Sequence, residues 1–235
     1  MERDDVHAVF FDAGYTLLCM DPPQETLFLR TCDELDVAID TSKVANAVRH
    51  ANELLAPRAP AREAVPYSPQ RVDAFWIDYH RAVLAGCAID PAAERRAEAV
   101  YRRFTAALGW RVYDDVRPSL NALRQRGIAL GVISNWTGDL EDVLRRIDLH
   151  DPFDFVIDSA HFGHEKPHPE IFAEAVRRAG VPAAAAMHIG DSIEHDVDGA
   201  RRAGLRAVLI DRKGDHAAFA TAPRVSNLID IVALL

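Results

Sequence analysis

Four short segments of this 235-residue chain carry side chains that can do chemistry together. Asp12 closes the apolar run Val9-Phe10-Phe11 and opens Asp12-Ala13-Gly14-Tyr15-Thr16. Ser134 and Asn135 follow the apolar run 128–133. Lys166 stands in His164-Glu165-Lys166-Pro167-His168-Pro169, and it is one of only three lysines, with Lys43 and Lys213. Asp191 follows Met187-His188-Ile189-Gly190, and Asp196 comes five residues later. A carboxylate at the end of a buried strand, followed by a glycine turn and a hydroxyl, suits a nucleophile held rigidly at a sheet edge. Asp12 and Asp191 together can hold a hard cation such as Mg²⁺ through oxygen ligands; Asp196 is a further ligand or orients one through water. Ser134 and Asn135 offer a hydroxyl and backbone N–H groups to an anion, and Lys166 adds a fixed positive charge. These are the parts that phosphoryl transfer requires. Two residues after Asp12, where a second carboxylate would complete a nucleophile and acid/base pair, the chain has Gly14.

The elements that must position these residues are readable from periodicity. Residues 6–11 read as a short buried strand. From about residue 20 to 111 the pattern is helical. One face carries Leu27, Phe28, Thr31 and Leu35, and a second Val44, Ala47, Val48, Ala51 and Leu55, with Thr41 or Ser42 as N-cap. A third stripe is Val72, Phe75, Trp76, Tyr79 and Val83; a fourth runs from Ala93 to Leu108 with Pro91 near its start. The proline-rich stretch 57–69 reads as a loop. After Arg117 strands and helices alternate: helix 118–126, strand 128–134, helix 139–147, strand 155–158, helix 169–179, strand 187–189, helix 195–203, strand 205–210, and a final helix 227–235 capped by Ser226. Such alternation predicts an α/β fold, a Rossmann-like parallel sheet with helices on both faces, plus an inserted all-helical domain. The core domain would comprise 1–17 and 112–235, and the insert 18–111. Ligands of open α/β sheets bind beyond the carboxyl ends of the strands, which selects Asp12, Ser134, Asn135 and Asp191.

Composition narrows the partners. The net charge is −9, without the basic excess of a nucleic-acid binder. No run approaches the roughly 18 apolar residues of a membrane span, and the acidic start Met1-Glu2-Arg3-Asp4-Asp5 lacks a signal-peptide layout. Cys19, Cys32 and Cys87 are odd in number and spaced for no zinc site, so the expectation is reduced thiols in a cytoplasmic protein. No sequence feature speaks for an oligomeric state.

The four segments, in this order, resemble the four motifs of the haloacid dehalogenase-like (HAD) hydrolase superfamily. The first is Asp12 to Thr16; the second is Ser134-Asn135; the third is Lys166-Pro167-x-Pro169-x-Ile171-Phe172; the fourth is Gly190-Asp191 with Asp196 and Gly199-Ala200-x-x-Ala203-Gly204. The helical insert resembles that family's small cap domain. The resemblance implies that Asp12 attacks a phosphoryl group and becomes an aspartyl phosphate. It implies that Asp12 and Asp191 bind Mg²⁺ by side chain and Gly14 by its carbonyl. Thr16 would help position the loop and bind substrate; Ser134, Asn135 and Lys166 would hold the phosphate. The chain departs from the family at Gly14, usually the aspartate that protonates the leaving group and activates water, and at Tyr15, usually glycine.

Each segment also has a plain structural reading: Asp12 caps a turn, Gly-Asp before a helix is an ordinary N-cap signal, and Asp196 is a helix-surface acid. The set in order favours the functional reading. The expected activity is hydrolysis of a small phosphorylated metabolite with Mg²⁺. The alternatives are a catalytically weak phosphate-binding or regulatory protein, which Gly14 favours, and a 2-haloacid dehalogenase, which would need no Mg²⁺ and no Gly-Asp motif. Phosphonate cleavage would need a cap lysine, and Lys43 has no such setting. His161, His164 and His168 have metal-like spacing, but Gly163 and Pro167 interrupt the helix that would align them, so they read as a polar loop beside the site, with His164 or His168 touching substrate. Phe75, Trp76 and Tyr79 read as core of the insert, the alternative being a specificity wall facing the substrate.

Overall fold

The computed structural model describes residues 6–55 and 68–235. Most of the proline-rich stretch 57–69 lies outside the described residues. The chain divides into two compact units, residues 1–19 with 111–235, and Met20–Trp110.

The first unit is built on a six-stranded parallel sheet. In chain order its strands are β1 (Ala8–Phe11), β4 (Ala129–Ser134), β5 (Phe155–Asp158), β6 (Ala186–Gly190), β7 (Arg206–Ile210) and β8 (Arg224–Val225), and in space they run β5-β4-β1-β6-β7-β8. Two short strands, β2 (Leu18–Met20) and β3 (Trp110–Val112), pair separately, and the chain passes between the units within them. The remaining helices of this unit are α5 (Val116–Gln125), α6 (Leu140–Arg146), α7 (Ser159–Phe162), α8 (Pro169–Ala179) and α9 (Gly199–Arg202).

β1 is central, paired with β4 on one side and β6 on the other, with Phe11 opposite both Val132 and Ile189. A central parallel strand is covered on both faces, which is why Ala8-Val9-Phe10-Phe11 is an unbroken apolar run and fully buried. Ala8, Phe10, Ile133 and Ile157 share one core with Ile171, Phe172 and Ala175 of α8 and with Ala200 of α9. Their neighbours Val9, Phe11, Leu130 and Val132 alternate to the other face and are equally buried; α5 packs there through Val116, Leu120 and Leu123. Each of these large side chains contributes about 1.5–3 kcal/mol by leaving water. The chain order of the strands reverses between β1 and β6, so the residues just after them, Asp12 and Asp191, lie at the switch point of the sheet.

Three local expectations are corrected. Residues 193–198 form a π-helical turn before α9, not the start of a regular helix; the Ser192 hydroxyl accepts from His195 N and the turn brings Asp196 inward. The C-terminal element is a 3₁₀ helix, Leu228–Ala233, capped by Asn227 rather than Ser226. In the second unit Asp40, not Thr41 or Ser42, is the cap, accepting from Ser42 N ahead of a 3₁₀ turn. Among the described residues no helix is long and apolar enough to cross a membrane.

The second unit holds α1 (Gln24–Glu34), α2 (Val44–Leu55), α3 (Pro69–Cys87) and α4 (Ala97–Ala106). Its core joins Leu27, Phe28, Ala47, Ala51, Val83, Leu84, Val100 and Phe104. Of the aromatic stripe, Tyr79 is core, Phe75 packs at its edge, and Trp76, at the margin of the stripe, is 38% exposed with its ring edge-on to those of Phe75 and Tyr79. His80 is buried among the rings of Phe28, Tyr79, Tyr101 and Phe104. Its Nδ1–H donates to Trp76 O at 2.8 Å. Burial lowers this imidazole below its usual 6.5 despite that bond. The unfolded chain therefore binds a proton that the folded one resists, and this unit loses stability as the pH falls below about 6.5. His80→Phe is expected to move the acid-unfolding midpoint, followed by tryptophan fluorescence, to lower pH. An unchanged midpoint would remove His80 as the cause.

Candidate active site

Asp12, Ser134, Asn135, Lys166, Asp191 and Asp196 come from four separate segments and meet at the carboxyl ends of β1, β4 and β6. The backbone N–H of Asp12 donates to Ile189 O at 2.9 Å, continuing the β1–β6 ladder one residue past the strand. Its Oδ1 accepts from Ser134 Oγ at 2.9 Å and from Lys166 Nζ at 2.7 Å. The ammonium also reaches Asp196 Oδ1 at 2.6 Å, and Lys166 is 1% exposed. Asp196 has both oxygens engaged: Oδ1 also meets His188 Nε2 at 2.9 Å, and Oδ2 accepts from Ser192 N at 3.0 Å. Asn135 clips the Lys166 segment in place, its Oδ1 accepting from Lys166 N at 2.7 Å and its Nδ2 donating to Lys166 O at 2.8 Å. Asp158 fixes the loop after β4 by accepting from Gly138 N and Leu140 N.

The electrostatics follow from one ammonium among three carboxylates. Burial opposes ionisation of Asp196, but Lys166 and His188 outweigh it and hold the carboxyl well below its usual range. Burial favours the neutral amine of Lys166 and by itself would lower its pKa, but Asp12 and Asp196 outweigh burial, raise the pKa above its usual value and keep the ammonium charged. Burial pushes Asp12 up, and Asp196 adds to this while Lys166 counters it. Asp191 is pushed up to about 8 by burial and by the charges of Asp12 and Asp196. With all three carboxyls ionised, one ammonium would leave two negative charges uncompensated, which is why Asp191 resists ionising in the absence of a cation; one ligand oxygen from each of Asp12, Asp191 and Asp196 lies within 4.8 Å of the others. An all-oxygen donor set with that deficit fits a hard divalent cation.

Two of the expected binding residues, Asn135 and Thr16, have their own structural partners or surroundings. Asn135 spends its side chain on the backbone of Lys166 and so positions that loop, which leaves its backbone N–H as the group that could meet an anion. Thr16 is 0% exposed, its hydroxyl has no hydrogen-bond partner, and its carbonyl accepts from Arg212 Nη2 at 2.6 Å. The hydroxyl is thus buried and unpartnered on the loop that carries Asp12. Gly14 is half-buried on the same loop, where a Cβ would meet Trp136 Cζ3 at 3.6 Å, an ordinary contact. Tyr15 adopts φ 57°, the left-handed conformation in which glycine is unstrained.

Two further residues support the cluster without a motif to mark them. His188 is buried under Asp196, and its signal was a lone histidine inside the apolar strand Ala186-Met187-His188-Ile189. Arg212 ties the Asp12–Thr16 loop to Asp115, whose Oδ2 it meets at 3.0 Å and which also accepts from Leu228 N at 2.7 Å. No local pattern marks that long-range link.

Gly190 exists for space. A Cβ there would collide with the Asp196 side chain. Gly190→Ala must displace Asp196 and leave a buried charge unpaired, at a cost of about 3 kcal/mol. Gly14→Ala meets only Trp136 and should stay within about 0.5 kcal/mol of the parent. Urea unfolding of the two variants checks this contrast; equal losses would refute it.

Comparison with known proteins agrees with this geometry. A family model described as haloacid dehalogenase-like hydrolase matches residues 6–204. The haloacid dehalogenase-like hydrolase domain-containing protein 3 of Bos taurus is 37% identical over 142 residues, covering 58% of this chain and 55% of that protein. The glyceraldehyde 3-phosphate phosphatase of Methanopyrus kandleri is 41% identical over 101 residues, 43% of each chain. The match thus spans about half the length of these relatives. Among solved structures, a HAD-hydrolase of Bacillus subtilis, YfnB, bound to magnesium, shares the fold at TM-score 0.77 and 22% identity over 98% of this chain and 99% of that one. With four motifs gathered at one sheet edge and a family model matched over most of its length, this chain belongs to the haloacid dehalogenase-like hydrolase family.

Proposed function

We propose that this protein is a Mg²⁺-dependent phosphatase of a small phosphorylated metabolite, with Asp12 as the nucleophile and no carboxylic acid to assist it from position 14. The observation that carries this reading is the charge deficit around Lys166, three buried or half-buried carboxylates against one ammonium. Asp12, Asp191 and the Gly14 carbonyl would hold the cation. Asp196 stands behind them, since both its oxygens are spent on Lys166, His188 and Ser192. Bound there, Mg²⁺ supplies neutralisation of phosphoryl oxygen charge.

The residues of the chain do the rest. Ser134 and Lys166 fix the rotamer of Asp12. A carboxylate oxygen of Asp12 bonds to phosphorus while the bond to the leaving oxygen breaks, and that oxygen departs with the electron pair. Lys166, held charged by its partners, faces the phosphoryl oxygens. Water then attacks phosphorus, the Asp12–phosphorus bond breaks, Asp12 returns as a carboxylate, and the proton of the water passes to solvent. No acid at position 14 protonates the leaving group, so aryl and acyl phosphates, whose leaving groups are stable anions, are the favoured substrates. The likeness to a phosphatase of a phosphorylated aldehyde supports a phosphate-ester class. Three free cysteines fit a reducing, cytoplasmic setting, and the acidic balance fits a small-molecule rather than a nucleic-acid partner.

A panel of aryl, acyl and alkyl phosphates with Mg²⁺ tests the reading. Turnover of the first two, abolished by EDTA, is the expected result, with alkyl esters slower by roughly 10²-fold or more. Gly14 also favours a second reading, a phosphate-binding regulatory protein. Tight beryllofluoride binding without turnover across the panel would establish that one instead. EDTA-resistant turnover of a 2-haloacid would replace both.

A further inference from the structure

A second group of side chains with metal-ligand chemistry converges on the loop that carries Lys166. His164, His168 and Glu170 each present one ligand atom, and the three lie within 4.8 Å of one another. His164 Nε2 is 3.0 Å from Glu170 Oε2, and the two imidazole rings stack with centroids 4.2 Å apart at 17°. The convergence has a local cause. His168 is the N-cap of α8, its Nδ1 accepting from Glu170 N at 3.3 Å, which places Glu170 in the first turn beside it. His168 N donates to Glu165 O at 2.8 Å, closing the turn that returns His164 over the same spot. The interruption at Gly163 and Pro167 therefore does not scatter the ligands. A turn joined to a cap aligns them without a continuous helix, and Glu170, not His161, is the third member.

The donor set differs in kind from that of the active site. Two imidazoles and one carboxylate suit a borderline cation such as Zn²⁺, whereas the Asp12 cluster is all oxygen. We propose that His164, His168 and Glu170 form a transition-metal site that binds Zn²⁺ and braces the Lys166 loop. Coordination needs the metal in the plane of each ring, so the face-to-face stack must open; the His164 side chain is 42% exposed and has room to turn. The partial positive charge at the start of α8 opposes a cation, and Glu170 supplies the compensating negative charge. Lys166 sits between His164 and His168 in sequence and is already clipped to the end of β4 by Asn135. A metal joining residues 164, 168 and 170 closes the loop on the other side of Lys166.

The test is calorimetric titration of the EDTA-stripped full chain with ZnCl₂, with excess Mg²⁺ present to occupy the oxygen site. One Zn²⁺ per chain is expected, with a rise in Tm. His164→Ala and Glu170→Gln, both at exposed side chains, should each weaken binding by roughly 10–100-fold, while Asp12→Asn/Asp191→Asn should bind as the parent does. The proposal is overturned if the parent shows no saturable binding, if His164→Ala and Glu170→Gln bind undiminished, or if binding disappears in the double aspartate variant, which would place the ion at the carboxylates.

Discussion

Asp12→Asn is expected to remove phosphate hydrolysis by at least roughly 10⁴-fold, as loss of a nucleophile does elsewhere, while leaving the fold at least as stable as the parent in the absence of Mg²⁺. The two halves of that result come from one cause. Asp12 is buried beside Asp196, and its carboxyl is pushed up despite the Lys166 ammonium. Folding thus disfavours its ionised form, and an amide of the same size relieves that repulsion while its Oδ1 can still accept from Lys166 and Ser134. A carboxylate that merely capped a turn would behave in the opposite way, with stability lost and activity reduced only in proportion. Mg²⁺ separates the readings further. Binding to the native state alone raises Tm, so the parent should gain more from Mg²⁺ than the asparagine variant. Full activity in Asp12→Asn, or an equal Mg²⁺ effect on both proteins, would end the proposed role of Asp12.

The sequence made the sheet legible because central parallel strands have no polar face to confuse the pattern. Residues 8–11, 129–134 and 186–190 are near-continuous apolar runs, and each ends at or immediately before a residue of the cluster. The short pieces were not legible. β2, β3 and β8 have two or three residues each, too few for a period, and the π turn at 193–198 has the composition of an ordinary helix start. The site divides along the same line. Acidic and basic groups at strand ends announced themselves by chemical type. What they touch did not: Asn135 holds the Lys166 backbone, Thr16 is sealed in, and Arg212 reaches Asp115 across 97 positions of chain. Those contacts depend on tertiary packing, which periodicity does not encode. His188 is the intermediate case, since a histidine at 0% exposure in an apolar strand must have a partner for its ring, and Asp196 is that partner.

Gly14→Asp is expected to raise turnover of alkyl phosphates by roughly 10²–10⁴-fold, the usual value of general acid–base assistance, with a much smaller gain on aryl phosphates. The backbone permits the change, because Gly14 is not among the glycines with positive φ. Space permits it as well, since the first new atom meets only the edge of Trp136, whose indole is anchored by Nε1 donating to Asp139 Oδ1 at 2.9 Å. The carbonyl at position 14 is unchanged, so the proposed metal ligand survives. What the change adds is a carboxyl group two residues from the nucleophile, able to protonate a leaving alkoxide and then to take a proton from the attacking water. Aryl and acyl leaving groups need no such proton, which is why the gain should depend on the leaving group. Gly14→Asn fills similar space without a transferable proton, and it separates assistance from packing. The gain should therefore appear in the aspartate variant alone, together with a new limb in the pH–rate profile. Equal rates for glycine, aspartate and asparagine on an alkyl ester would mean that another group already supplies the proton. A gain shared by aspartate and asparagine would assign the effect to the Trp136 contact instead. The new carboxyl also joins a cluster that already sets three carboxyl groups against one ammonium, so without Mg²⁺ the aspartate variant should melt below the parent, and saturating Mg²⁺ should close much of that gap.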